Sequence, residues 1–236
     1  MGIKPRSQLT DADRRRMERL QRLAGDVIDK RHLKDMSPEA ERKRLVAEAS
    51  AKCDERFPLM VRDASLSDPA VCDWVDRFKS GTIHDHQSLM ISGAVGAGKT
   101  WQAYAALRNV ATSPRVNPRT GFEYLLKWRS MTFSQFAASI RPQHGADLRT
   151  EFDALIRVPL LMIDDFGSGK ITEAVEDATY MLVDYRLMHK LPCIFTTNLG
   201  ARDFKDVVGD RTTSRLRHMC ERVVMKGHDR REAGVY

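Results

Sequence analysis

Ser92-Gly93-Ala94-Val95-Gly96-Ala97-Gly98-Lys99-Thr100, directly after the apolar Leu89-Met90-Ile91, is the stretch that decides the fold. The run fits G-x-x-x-x-G-K-[ST], a phosphate-binding loop, with a strand expected before it and a helix after it. Glycines let backbone N–H groups turn inward around phosphates with no Cβ in the way. Lys99 is placed to reach β- and γ-phosphates, and Thr100 to offer its hydroxyl to Mg²⁺. The helix starting near Lys99 points its positive end at the same anion. The expected nucleotide-binding set is therefore Gly93, Ala94, Val95, Gly96, Ala97, Gly98, Lys99, Thr100 and Trp101. The plainer alternative, a Gly-rich turn between strand and helix, is disfavoured because the flanks fit as well as the motif does.

Downstream, apolar strands alternate with helical patterns. After the loop a helix is expected to about Ala111, with Ala103, Leu107 and Val110 facing the sheet. Thr112 to Gly121 holds two prolines and reads as a loop. Phe122 to Trp128 reads as a strand. Phe133, Phe136, Ala137 and Ile140 suit a short helix, and Leu148, Phe152, Leu155 and Ile156 another. Strands follow at Pro159 to Asp164 and Cys193 to Thr197, with a longer helix from Glu173 to about Lys190 between them. This alternation predicts an α/β fold, a parallel sheet covered by helices on both sides.

Residues 1–56 read differently, as a small helical module. Met17, Leu20, Ala24, Val27 and Ile28 recur at helical spacing among arginines, and Ser37-Pro38-Glu39 starts a second helix that runs towards Phe57-Pro58. Two short, charged helices bury little by themselves, so partner docking is the expected role and a stabilising extension the alternative. Residues 57–236 are expected to form the main domain.

Composition narrows the class. A chain of 236 residues, 42% hydrophobic, supports a substantial core. No apolar run approaches the roughly 18 residues of a membrane span. Met1 to Arg6 does not resemble a signal peptide, and a cytoplasmic setting is expected. The four cysteines form no C-x-x-C pair, and Cys193 and Cys220 read as small core residues. Net charge is +7, and Ser113 to Thr150 holds six basic residues against two acidic ones. That local excess suits a polyanion partner, and an ordinary solvated face fits it equally well.

Three further motifs bear on chemistry. Leu160-Leu161-Met162-Ile163-Asp164-Asp165 is an apolar strand ending in two carboxylates, at the sheet edge where α/β folds bind ligands. Asp164 is expected to hold Mg²⁺, and Asp165 to orient the attacking water. Asn198, after Cys193 to Thr197, is placed to bond that water or the γ-phosphate, with a turn-forming role as the alternative. Arg211 and Arg215 lie four apart on one helical face, so either can present a guanidinium to a neighbouring subunit's γ-phosphate or simply be solvated.

The ordered set GAVGAGKT, LLMIDDFG, LPCIFTTNLG, GDRTTSRLR and KGHDRR resembles the DnaC/IstB group of AAA+ ATPases, over about Phe57 to Arg231. The first motif is widespread among P-loop NTPases, whereas the whole set in this order and spacing is far more specific. The group includes bacterial and phage loaders of the replicative helicase and helper ATPases of transposition. The resemblance implies that Arg215 is the arginine finger, with Arg211 as second choice. It implies that Arg231 is the sensor-2 arginine, with Arg230 as second choice. It also implies a helical insertion that contacts single-stranded DNA, matching about Ser130 to Val158. Individual DNA contacts do not align, so Lys127, Arg129, Arg141 and Arg149 are candidates from charge. Phe133 and Phe136 fit the core better than base stacking.

The expected function is an ATP-dependent helicase loader that uses Mg²⁺, self-associates through the ATP site, and engages a hexameric replicative helicase and single-stranded DNA. The rival within the family is a transposition helper acting with a transposase on duplex DNA. A small-molecule kinase would not require the late motifs in this order. A non-hydrolysing ATP-dependent clamp would not need Asp165.

Overall fold

The computed structural model describes residues 37–83, 85–140, 148–200 and 203–226, the side chains of 148 and 149 excepted. The chain divides into two compact units, Met1–Arg44 and Leu45–Tyr236. The described part of the first is the opening of helix α1 (Pro38–Arg56), where the Ala40 N–H donates to Ser37 Oγ at 3.2 Å. The N-terminal helix expected around Met17 to Ile28 lies outside the described residues.

The second unit is built on a five-stranded sheet. Its strands are β1 (Ser88–Gly93), β4 (Trp128–Thr132), β5 (Leu160–Asp164), β6 (Cys193–Thr197) and β7 (Cys220–Met225), in the spatial order β4-β5-β6-β1-β7. All four neighbouring pairs are parallel. β5 and β6 are buried along their whole length, which is why their sequences run apolar without alternation.

The two faces of the sheet are read off with a period of two. Leu89, Ile91, Leu160, Met162, Ile194 and Val223 join one core cluster, which contains Cys53, Val71, Trp74, Ala103, Leu107 and Val110. Those partners belong to the end of α1, to α2 (Pro69–Ser80) and to α3 (Lys99–Ala111). Met90, Leu161, Ile163, Cys193 and Phe195 join the other cluster. It is completed from α4 (Phe133–Ser139), α5 (Leu148–Arg157), α6 (Glu173–Met188) and α7 (Asp203–Met219), the last bent at Gly209.

Local sequence sets the ends. Asp68 caps α2 by accepting from the Ala70 and Val71 N–H groups, and Pro69 opens the helix. Thr132 and Gln135 form a reciprocal capping box at α4. Phe133 and Phe136 are 1% and 0% exposed, which makes them core residues and removes them as base-stacking candidates. Cys193 and Cys220 are buried, as their apolar neighbours implied.

One region departs from the expected layout. The strand expected at Phe122 to Trp128 begins at Trp128 instead, because pairing with β5 starts at Trp128↔Leu160 and runs to Thr132↔Asp164. Upstream, β2 (Arg115–Val116) and β3 (Glu123–Tyr124) pair antiparallel, so the expected loop is a hairpin. Among the described residues, no helix is long and apolar enough to cross a membrane.

Candidate nucleotide-binding site

The phosphate loop leaves the C-terminal end of β1, and α3 begins directly behind it. At Gly93 the chain passes so close to β7 that a Cβ would lie 2.5 Å from the Met225 carbonyl oxygen. Gly98 is the N-cap of α3 at φ 88°, a left-handed conformation that glycine adopts without penalty. No side chain caps that helix. Its first N–H groups are therefore not claimed by a capping side chain, and they carry the positive end of the helix dipole.

The loop opens onto a cavity of about 450 Å³, within the range of small-molecule sites. From the loop and α3 it is lined by Val95, Gly96, Gly98, Lys99, Thr100 and Trp101, and from the ends of β5 and β6 by Asp164, Asp165 and Asn198. Three separated segments thus meet at one point, at the carboxyl edge of the sheet. Ala97 faces inward, 2% exposed in the core, so only its backbone is available to a ligand. Lys99 is buried and its Nζ donates to the Ala94 carbonyl at 2.6 Å, which holds the ammonium against its own loop.

The carboxylates are positioned by the neighbouring strand. Asp164, 7% exposed, accepts from the Thr196 hydroxyl at 2.5 Å and from the Thr100 hydroxyl at 3.0 Å. Burial pushes its carboxyl above the ordinary carboxylate range; the two hydroxyls oppose the shift and the nearby Asp165 adds to it. A buried anion whose charge is disfavoured, 3.0 Å from a hydroxyl on the phosphate loop, is chemistry that suits a divalent cation. Asp165 sits at φ 52°, and its N–H donates to Thr196 Oγ1 at 2.8 Å. Thr197 Oγ1 donates to the Phe166 carbonyl and accepts from the Leu199 N–H, which fixes the chain on both sides of Asn198. Asn198 itself is exposed at the rim.

Several lining residues carry no motif. Pro58, Met60 and Val61 wall the cavity from the turn after α1, and Tyr104 and Thr132 complete the lining. Burial and the proximity of Asp164 both raise the Tyr104 phenol. Trp101 Nε1 donates to the Ser65 carbonyl at 3.2 Å, and Gln102 binds the Ser65–Asp68 backbone, tying this wall to α3. Thr196 and Thr197 stand behind the lining rather than in it, and they are readable, since two hydroxyls at the end of a fully buried strand imply a polar destination.

The arginines are elsewhere. Arg211 lies over the Tyr180 ring at 4.0 Å, and Arg215 at 5.0 Å from the same ring. Arg215 Nε also bonds Asp184 Oδ1 at 2.5 Å. Neither lines the cavity of its own chain. Lys127 and Arg129 are exposed at the start of β4. Arg141, Arg230 and Arg231 fall outside the described residues, and of Arg149 only the backbone, in α5, is described.

Sheet order, phosphate loop and paired acidic strand define a P-loop ATP-binding domain of the AAA+ class. The model for the family of IstB-like ATP binding proteins matches residues 30–233, and the chain belongs to that family. Among solved structures it is similar to the DnaC helicase loader, with 18% identity and a TM-score of 0.57 over 72% of this chain and 100% of that one. It is similar to DnaI, with 20% identity and a TM-score of 0.57 over 74% of this chain and 94% of that one. The replication initiator DnaA bound to AMPPCP and single-stranded DNA shares the fold at 18% identity and a TM-score of 0.54, over 71% of this chain and 50% of that one. No curated protein matches the chain.

Proposed function

We propose that the protein is an ATP-dependent loader of a hexameric replicative helicase, hydrolysing ATP at the cavity above and contacting single-stranded DNA. The observation that carries the enzymatic part is the meeting of Lys99, Thr100, Asp164, Asp165 and Asn198 around one cavity. Likeness to DnaC over that chain's full length supports the loader part.

Lys99 exchanges its bond to Ala94 for β- and γ-phosphate oxygens. Thr100 and Asp164 would hold Mg²⁺, Asp164 through water, and the ion when bound neutralises phosphate charge. Asp165 orients the attacking water and accepts its proton. Being one methylene shorter than the Glu found in many related enzymes, it holds that water less well, and turnover in isolation is slow. Asn198 donates to the water or the γ-phosphate. Arg215, with Arg211 as the alternative, completes a neighbouring protomer's site, and Arg231 or Arg230 acts as sensor 2. Residues 1–56 grip the helicase, and loss of the γ-phosphate releases it. The setting is the cytoplasm.

The family match favours a second reading, a transposition helper that binds duplex DNA and a transposase. Co-purification decides between them. A loader retains a hexameric helicase in the presence of ATP and loses it when residues 1–36 are removed. Retention of a transposase, with preference for duplex DNA, establishes the helper instead. In the assembled complex Arg215→Ala should slow hydrolysis on the order of 10³-fold, while each protomer still binds ATP. Unchanged hydrolysis removes Arg215 as the finger.

A further inference from the structure

The β2–β3 hairpin projects from the end of α3 and belongs to no part of the nucleotide site. α3 is 13 residues long, so the hairpin starts about 18 Å from the phosphate loop. Its turn is well built. The Asn117 N–H donates to the Phe122 carbonyl at 2.9 Å, the Gly121 N–H donates to the Asn117 carbonyl at 2.8 Å, and Asn117 Oδ1 accepts from the Arg119 N–H at 2.9 Å. Arg115 fastens the hairpin to α2. Its guanidinium lies 4.7 Å from the Phe78 ring centroid, and Nη2 donates to the Phe78 carbonyl.

Two aromatic rings stand on this fixed support without cover. Phe122 is 73% exposed and Tyr124 43%. Tyr124 lies in β3, and Phe122 directly precedes the strand, its carbonyl held by the Asn117 N–H, so both belong to one arm of the hairpin. The exposed charges of this stretch have one sign. Of the five charged residues from Ser113 to Arg129, the exposed ones are Arg119, Lys127 and Arg129, all cationic. The single acid, Glu123, is half-buried.

We propose that this hairpin is a stacking platform for single-stranded nucleic acid, with Phe122 and Tyr124 receiving two adjacent bases and Arg119, Lys127 and Arg129 following the phosphates. Magnitudes favour this occupant over a protein. Two rings offer on the order of 400 Å², well short of the roughly 1,200 Å² that a specific protein interface needs. Stacking needs only one ring per base and a basic surround. The proposal rests on the nucleic-acid part of the function above and gives it a location. The hairpin starts a full helix length from the phosphate loop, so strand and ATP can be bound together.

The test is fluorescence anisotropy of labelled dT20 and U20 on the full chain, with duplex DNA as control. Phe122→Ala and Tyr124→Ala should each weaken single-strand binding at least about fivefold, and Phe122→Trp should retain it. The ring variants should leave the slope of log affinity against log salt unchanged, because a ring releases no counterion. Lys127→Ala should flatten that slope by about 0.7. Binding of a fluorescent ATP analogue, unchanged in every variant, reports that they fold. If the unaltered chain binds neither strand, nucleic-acid contact and platform fall together. If it binds and Phe122→Ala/Tyr124→Ala binds equally well, the platform alone is wrong. A double variant that keeps oligonucleotide affinity but loses a protein partner reassigns the hairpin and overturns the proposal.

Discussion

The two ends of the parallel sheet treat buried charge in opposite ways. At the amino end, Arg186 is completely buried, and its guanidinium donates to Cys193 Sγ and to the carbonyls of Ile156, Val158 and Pro192. Every nitrogen of that group has an acceptor, and Ser88 Oγ beside it accepts the Cys193 N–H. At the carboxyl end, Asp164 is nearly as buried, yet it faces a 450 Å³ cavity and is held by hydroxyls. A buried charge enclosed by acceptors is a structural part, whereas one left facing a cavity is waiting for a ligand.

Removing each charge should separate the two ends. Arg186→Ala takes the guanidinium donors from three carbonyls, of which Pro192 keeps the Leu161 N–H, and opens a hole, so it should cost at least about 3 kcal/mol of stability, or roughly 10 °C in thermal melting. The protein that remains folded should bind ATP normally. A variant that melts normally but fails to bind ATP contradicts the structural assignment. Asp164→Asn should do the reverse. Mg²⁺-dependent nucleotide affinity should fall about 10- to 100-fold, with the fold intact by circular dichroism.

The pH dependence sharpens the same contrast. The folded-state pKa of Asp164 lies above its unfolded value, so between the two the folded state holds more protons. Stability of the ligand-free protein therefore falls as pH rises through that window. Asp164→Asn should flatten this fall, visible in denaturant midpoints across the acid range. Metal-assisted nucleotide binding needs the ionised carboxylate, so affinity should climb over the same interval in the unaltered protein only.

The smallest effect belongs to Arg215. Its pair with Asp184 is about 30% exposed on both sides, so Asp184→Ala should barely move the melting temperature. If Arg215 works across a protomer boundary, freeing it should leave assembled hydrolysis equal or faster. A large loss of hydrolysis would make Asp184 part of the site.

The sequence made the carboxyl end legible because its chemistry is contiguous. Gly93–Thr100, Asp164-Asp165 and Thr197-Asn198 each combine an apolar strand with the polar residues that end it, and strand order then brings them together. The wall formed by Pro58, Met60 and Val61 was hidden because it reaches the cavity only through tertiary contact with α3. Arg186 was equally hidden, since nothing near it in sequence distinguishes a buried guanidinium from a solvated one. At Phe122–Trp128 an apolar run reads as a strand, yet those residues divide between a hairpin arm, a connector and the first residue of β4. Register with β5, a long-range property, makes that division.

The central claim is that one nucleotide site forms where the phosphate loop meets the ends of β5 and β6. Isothermal titration of ATP with Mg²⁺ into the unaltered protein and into Lys99→Ala tests it most directly. The account predicts a single saturable site in the first and its loss, at unchanged melting temperature without nucleotide, in the second. Equal affinity in the two proteins would contradict it.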